Sequence, residues 1–233
     1  MYSECPGGRL KRGADGVEAA FDLYRDAATA LTTFFCRFTS RSCADCLGLY
    51  RIALPEDPIA SHELVEGIFP GCCQEGVADD FRIPDSKGRS LPKPLVERIS
   101  EGRVGLGSKE GSDYSVRDVR TGRIHKGRGC RHMTPGGCGL GPLKSPICLH
   151  YLCDPVRQNL AAIVPGASWP MEEDFLGFGA FLHSVARLAD NGGPEFMAAR
   201  LALETLLTEI RGRDRELALK TEQDEKIKTC MEK

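Results

Sequence analysis

From Val17 to Phe38 apolar residues recur at helical spacing: Val17, Ala20, Phe21, Tyr24, Ala28, Leu31, Phe35 and Phe38, with Glu18, Asp22, Arg25 and Asp26 between them. Positions three and four apart share a helix face, so this stripe predicts an amphipathic helix packed on a core. The chain then passes directly to Cys43 and Cys46. Asp57-Pro58 sets a capping carboxylate before a first-turn proline, which predicts a second, short helix running to about Ile68 and stopping before Pro70-Gly71. Residues 79–112 are dense in glycine, proline and charge and read as loop, with one short helix near Leu95 to Ile99. The runs Ser115-Val116-Arg117-Asp118-Val119 and Arg123-Ile124-His125 flank Arg120-Thr121-Gly122, which predicts a hairpin over Tyr114 to His125.

Gly127 to Cys153 breaks the pattern. Glycine, proline and cysteine dominate, and too little periodic apolar surface remains to offset the entropy of ordering the backbone. Helical spacing resumes afterwards. Asp154-Pro155 predicts a helix to about Val164, ended by Pro165-Gly166. A longer one is expected from Pro170 to Ala189, with Glu172, Glu173 and Asp174 in its first turn, where the helix dipole favours them. A last helix carries Phe196, Leu203, Leu206, Leu207 and Ile210 on one face and passes into a charged tail from Arg211. The resulting expectation is a single, mostly α domain over 1–233. It has an N-terminal helix at 17–38, a loop-rich cysteine core at 43–153 with at most one small β-hairpin, and C-terminal helices with a charged tail at 154–233.

Composition narrows the function. A hydrophobic content of 41% allows a true core, and a net charge of −2 gives no electrostatic footprint for nucleic acid or an anionic membrane. Aromatic residues make up 7%, too few for a base-stacking platform. No apolar run approaches the roughly 20 residues that span a bilayer. Met1 to Gly16 is polar and glycine-rich, unlike a secretory signal, so a cytoplasmic location is expected.

The 11 cysteines change the picture most. In a reducing cytosol disulfides do not persist, and clustered cysteines point to metal or redox chemistry. Eight fall into four local groups: Cys43-Ala-Asp-Cys46, the adjacent Cys72-Cys73, Cys130 with Cys138, and Cys148 with Cys153. A C-x-x-C spacing lets two thiolates reach one metal from a turn. Adjacent cysteines form a strained ring if joined to each other, so they serve better as ligands of one centre or of two neighbouring ones. Pro135-Gly136-Gly137-Cys138-Gly139-Leu140-Gly141 supplies backbone freedom and exposed N–H groups, which a loop wrapped around a metal needs. Soft thiolates suit an iron–sulfur cluster, 4Fe-4S in the favoured case, and they equally suit zinc. Cys36 reads as a buried thiol on the first helix, and Cys5 and Cys230 as bystanders near the termini. His132 and His150 each follow a cysteine by two residues and are weighed as replacement ligands or as solvent-facing or outer-shell imidazoles.

The order C-x-x-C, Cys-Cys, C-x7-C-x9-C, with Pro146 two residues before Cys148, resembles the YkgJ-type cysteine-cluster family. That family is described as a zinc- or iron-chelating domain, similar to the cysteine region of flagellin lysine methylases. The resemblance spans about Cys43 to Cys153 and implies Cys43, Cys46, Cys72 and Cys73 as early ligands. Cys130, Cys138, Cys148 and Cys153 would be the later ones. One departure is plain: the family packs its first four cysteines closely, whereas 25 residues separate Cys46 from Cys72 here.

Other motifs fail. Gly102-Arg-Val-Gly105-Leu-Gly107-Ser108-Lys109 superficially resembles a phosphate loop, but the order is Ser-Lys and no apolar strand precedes it. Asp79-Asp80 reads as an ordinary solvated acidic pair. Three functions compete. One is an iron–sulfur protein serving redox or methyltransferase-like chemistry. Another is a structural zinc module whose C-terminal helix recruits a protein partner. The third, an exported disulfide protein, is disfavoured by the absent signal. Catalytic residues are not assigned.

Overall fold

The computed structural model describes residues 14–44, 46–84, 87–107, 110–134, 137–150, 153, 156–157, 177–191 and 193–231, with backbone alone at 14, 36–44, 137 and 217–231. Its first helix, α1 (Ala14–Ala44), extends beyond the expected span at both ends. Ala20, Tyr24, Ala27, Ala28, Leu31 and Phe34 form its buried stripe, each 2% exposed or less. That stripe meets two helices late in the chain, α5 (Phe178–Asn191) and α6 (Glu195–Met231). From α5 come Phe178, Phe181, Leu182, Val185 and Leu188, all fully buried; from α6 come Ala199, Leu203, Leu206 and Ile210. Full burial of one such Phe or Leu contributes ~1.5–3 kcal/mol relative to leaving it in water. These three helices therefore hold most of the core, and the chain is helix-dominated as its pattern predicts.

Helix α3 (Lys93–Gly102) closes the core on a third side with Leu95 and Ile99. Pro94 sits in its first turn, where a missing N–H costs nothing. Arg98 joins it to α1, its guanidinium 2.7 Å from Glu18 and 4.5 Å above the Phe21 ring.

Between these helices the fold departs from expectation. Cys43 lies in the last turn of α1, and Cys46 begins a short helix α2 (Cys46–Ala53). Asp57 does cap, accepting from the Ile59 N–H at 2.8 Å, but only for the 3-10 turn Pro58–Ser61. The expected helix to Ile68 is instead strand β1 (His62–Glu66). Tertiary pairing overrides helix propensity here: β1 lies antiparallel to β2 (Asp113–Asp118), with Leu64 opposite Val116. The expected hairpin is present as β2 and β3 (Ile124–Arg128), so the sheet has three strands in the order β1-β2-β3. Its turn is held by Asp118, whose carboxylate accepts from the Arg120 N–H and the Thr121 hydroxyl, both at 2.9 Å.

A second, two-stranded sheet, β4 (Met133–Thr134) with β5 (Gly137–Cys138), adds β structure beyond the single hairpin expected. Helix α4 (Pro146–His150) follows within a stretch expected to be irregular. The helix expected over 154–164 and the start of the one expected at Pro170 lie outside the described residues, apart from a helical Val156-Arg157. The charged tail continues α6 as helix to Met231. Among the described residues no helix is long and apolar enough to cross a membrane.

Candidate metal centre

Three segments carry cysteines to one place, and ordinary hydrogen bonds explain how. At Pro70-Gly71-Cys72-Cys73 the chain turns, with the Cys73 N–H donating to the Pro70 carbonyl at 2.8 Å. The segment then runs beside the end of β3. Gln74 bridges Gly129, and the Cys130 N–H donates to the Cys73 carbonyl at 2.7 Å. Cys73 and Cys130 are thus neighbours through the backbone itself. Cys46 comes to the same turn from α2. Gly71 has φ +54°, and a Cβ placed there would lie 2.6 Å from the Cys46 sulfur, so only glycine leaves room for that sulfur. The 25-residue separation between Cys46 and Cys72 is in this way closed in space.

From Cys130 the β4–β5 hairpin leads to Cys138, placed opposite Met133. The chain next crosses beneath α1 and returns on α4 with Cys148. The crossing is fastened at several points. Tyr24 of α1, fully buried, donates its hydroxyl to the Lys144 carbonyl at 2.6 Å. Thr32 reaches the Gly141 carbonyl at 3.3 Å. Ser145, also fully buried, donates to the Val77 carbonyl at 3.2 Å, and the Cys148 thiol points at that same carbonyl from 3.6 Å. Ala78, Cys130 and Leu140 form a small apolar cluster of their own, with Cys73 and Cys138 packed against it.

Cys73, Cys130, Cys138 and Cys148 act on one another electrostatically. Burial pushes the Cys148 thiol up to about 11, with the other three adding to the rise and the Ser145 hydroxyl opposing it. The Cys73 thiol is raised most by its hydrogen bond with Cys72, then by burial. Burial also raises Cys130 and Cys138, and in each a backbone N–H two residues on, from His132 and from Leu140, works the other way. Burial and the nearness of one another favour the protonated form of these thiols. N–H donors already aimed at the sulfurs favour the thiolate form that a metal requires.

The remaining assignments divide. Cys72 touches Cys73 and joins the group. Cys153 is buried, 8% exposed, within the main helical core among residues such as Leu149 and Val156. The side chains of Cys36, Cys43 and Cys230, and all of Cys5, lie outside the described residues. His132 is not solvent-facing: it is 1% exposed, with Arg131 donating to its Nε2 at 3.1 Å. His150 stacks on Phe178 at 6.5 Å. Among the described residues, no three His, Cys, Asp or Glu side chains are disposed to hold a metal ion, so the thiols form a neighbourhood and not a completed cage.

Two residues of the site escape the sequence reading. Arg103, within the failed phosphate-loop motif, is 6% exposed. Its Nε donates to the Leu143 carbonyl at 2.8 Å and its Nη1 to the Ala78 carbonyl at 2.9 Å, while the guanidinium lies 4.7 Å above the Phe81 ring. It fastens the chain on both sides of the cysteine group. A signal existed: Leu95, Ile99 and Arg103 are spaced by four, so the arginine occupies the next core position of the α3 face. Asp79 is the other, its carboxylate 3.4 Å from Arg103 and 3.6 Å from Arg131.

Compared with known proteins, the chain matches no family model, no curated protein and no solved structure.

Proposed function

We propose that this chain is a metal-binding protein whose centre is held by cysteine thiolates, with Cys73, Cys130, Cys138 and Cys148 as its main ligands. Cys72 and Cys46 lie at its edge. The observation that carries the proposal is the approach of cysteines from three separate segments: Cys73 and Cys138 pack, partly buried, against the cluster of Ala78, Cys130 and Leu140, and Cys148 faces the Val77 carbonyl beside it. Isolated core cysteines have no reason to gather so. Each buried thiol raises the cost of ionising the next, and a soft cation relieves all of them together. Glycines, backbone N–H donors and the Ser145 hydroxyl around the sulfurs suit that task.

An iron–sulfur cluster is the reading put first, and zinc the alternative; both use tetrahedral thiolate ligands. When bound, a cluster supplies a one-electron couple, whereas zinc supplies a cross-link that organises the 127–153 segment. The chain's own residues hold the sulfurs in place: Tyr24, Thr32 and Arg103 fix the crossing between Cys138 and Cys148, and the 70–76 segment fixes Cys73 against Cys130. Redox or methyl-transfer chemistry would need a substrate group beside this centre, and the proposal assigns no catalytic residue.

Anaerobic purification with iron, sulfide and zinc analysis tests it. Iron and sulfide with visible charge-transfer absorbance support the first reading, and stoichiometric zinc in a colourless protein supports the second. Cys130→Ser is expected to lose the metal and Cys153→Ala to keep it. Protein that binds neither metal after anaerobic reconstitution would sink the proposal.

A further inference from the structure

Two histidines that the thiolate reading does not use meet over the three-stranded sheet. The register brings them there. His62 on β1 lies opposite Asp118, and His125 on β3 lies opposite Val116, so both project from the face of β2 that carries Val116 and Asp118. The two imidazole centres approach to 5.5 Å, with their planes tilted by 57° and so not stacked flat. His125 is exposed and His62 half-buried, which leaves the pair within reach of solvent.

One of the rings is fixed in its tautomer. His62 Nδ1 lies 2.8 Å from the Pro58 carbonyl. A carbonyl only accepts, so Nδ1 carries the proton and Nε2 keeps a lone pair for another partner. The same carbonyl accepts from the Ser61 hydroxyl at 2.7 Å, and Asp57 caps the 3-10 turn that presents it. An imidazole that donates from one nitrogen to a backbone carbonyl is arranged as metal-ligating histidines are. The separation fits too. An ion about 2.0–2.1 Å from a ring nitrogen lies about 3.2 Å from the ring centre, so two imidazoles sharing it at about 90–120° have centres about 4.5–5.5 Å apart. Asp118, on the same face, is already committed to the Arg120 N–H and the Thr121 hydroxyl and is not counted as a ligand. The protein therefore supplies two nitrogens and leaves the other coordination positions to water.

We propose that His62 and His125 form a surface bis-imidazole site for a divalent transition-metal ion, with nickel, copper and zinc as its ligand class. Neutral imidazole suits these ions, whereas magnesium and calcium prefer oxygen. The hairpin and the 3-10 turn hold the rings in place before the ion arrives, so the second nitrogen binds as an intramolecular partner of the first. The site differs from the cysteine group in donor type and in the elements that build it, and it does not depend on that group holding a metal.

The test labels the five histidines of the full-length protein with ¹⁵N, titrates it with Ni(II) alone at neutral pH, and follows the ring nitrogens by NMR. The His62 and His125 rings are expected to broaden together at one low nickel concentration. His183, hydrogen-bonded to Arg89 at 2.8 Å, is expected to stay sharp there. His125→Ala should raise the nickel concentration needed to broaden His62 by about 100-fold, and His62→Ala should do the same for His125, because chelation is lost. His125 is exposed, so its replacement carries the test should His62→Ala disturb β1. Nickel taken up by cysteines does not enter the result, since the signals are read at the rings. Rings that only shelter Val116, which is 4% exposed, would respond no sooner than His183 and would be indifferent to loss of one another. That outcome overturns the proposal, as do His62 and His125 rings that stay sharp in excess nickel.

Discussion

Tyr24→Phe isolates the link between the helical core and the cysteine group. The hydroxyl of Tyr24 is fully buried and donates to the Lys144 carbonyl at 2.6 Å, a contact between residues 120 positions apart in sequence. Phenylalanine keeps the ring in the α1 stripe and removes only the donor. Burial holds the Tyr24 phenol well above its ordinary range, so it is a neutral donor throughout the usable pH range. Leaving a buried carbonyl unsatisfied costs about 1–3 kcal/mol. For a chain of this size, each kcal/mol moves Tm by about 2–4 °C, so the middle of that range predicts a fall of about 6 °C. Because Lys144 sits between Cys138 and Cys148, part of the loss should fall on the site. Chelator competition with zinc should then show weaker binding in Tyr24→Phe as well as the lower Tm seen by circular dichroism. A Tm within about 1 °C of wild type, with zinc affinity unchanged, would show that the hydroxyl neither stabilises the fold nor positions the site.

Gly71→Ala and Gly76→Ala compare two positive-φ glycines, at +54° and +84°. Only at Gly71 does the added carbon meet another group, the Cys46 sulfur at 2.6 Å, so Gly71→Ala is expected to cost more than the ~1–2 kcal/mol of backbone strain alone. Urea midpoints of the two variants decide it, and equal midpoints would remove Cys46 from the turn. Asp118 supplies a pH prediction. The Arg120 N–H, then the Thr121 hydroxyl, hold its carboxyl below the usual range in the folded state. Its contribution is therefore full above the unfolded value of about 3.9 and is lost as pH falls through the lowered folded value. The stability difference between wild type and Asp118→Asn, followed by urea denaturation, should be constant from neutral pH down to about 5 and shrink below about 4. A difference that grows in acid would contradict the hydrogen-bonded turn.

The helical frame was legible because burial repeats with the helix period. The stripe of α1, the Leu95–Ile99 pair and the apolar face of the last helix all reappear as core. The hairpin was legible because Thr121-Gly122 lies between two alternating runs. Strand β1 was not, since His62-Glu63-Leu64-Val65-Glu66 is exposed along most of its length and owes its shape to pairing with β2. The cysteine spacing grouped the residues in sequence without saying which of them the fold brings near one another. Cys130 and Cys138 join through a hairpin of two-residue strands, too short to leave a periodic signal. Cys153 follows Cys148 closely in sequence and yet belongs to the helical core, because α4 carries Leu149 into that core. Arg103 was hidden by its charge: a sequence reading sends arginine to solvent, and only its place after Leu95 and Ile99 argues otherwise.

X-ray absorption fine structure at the metal edge of anaerobically purified full-length protein tests the central claim most directly. The account predicts a first shell of four sulfurs at about 2.3 Å, from thiolates alone for zinc and from thiolates with sulfide for a cluster. That shell should disappear in Cys130→Ser combined with Cys138→Ser. A first shell made of nitrogen and oxygen, or a sulfur shell that survives the double substitution, would contradict it.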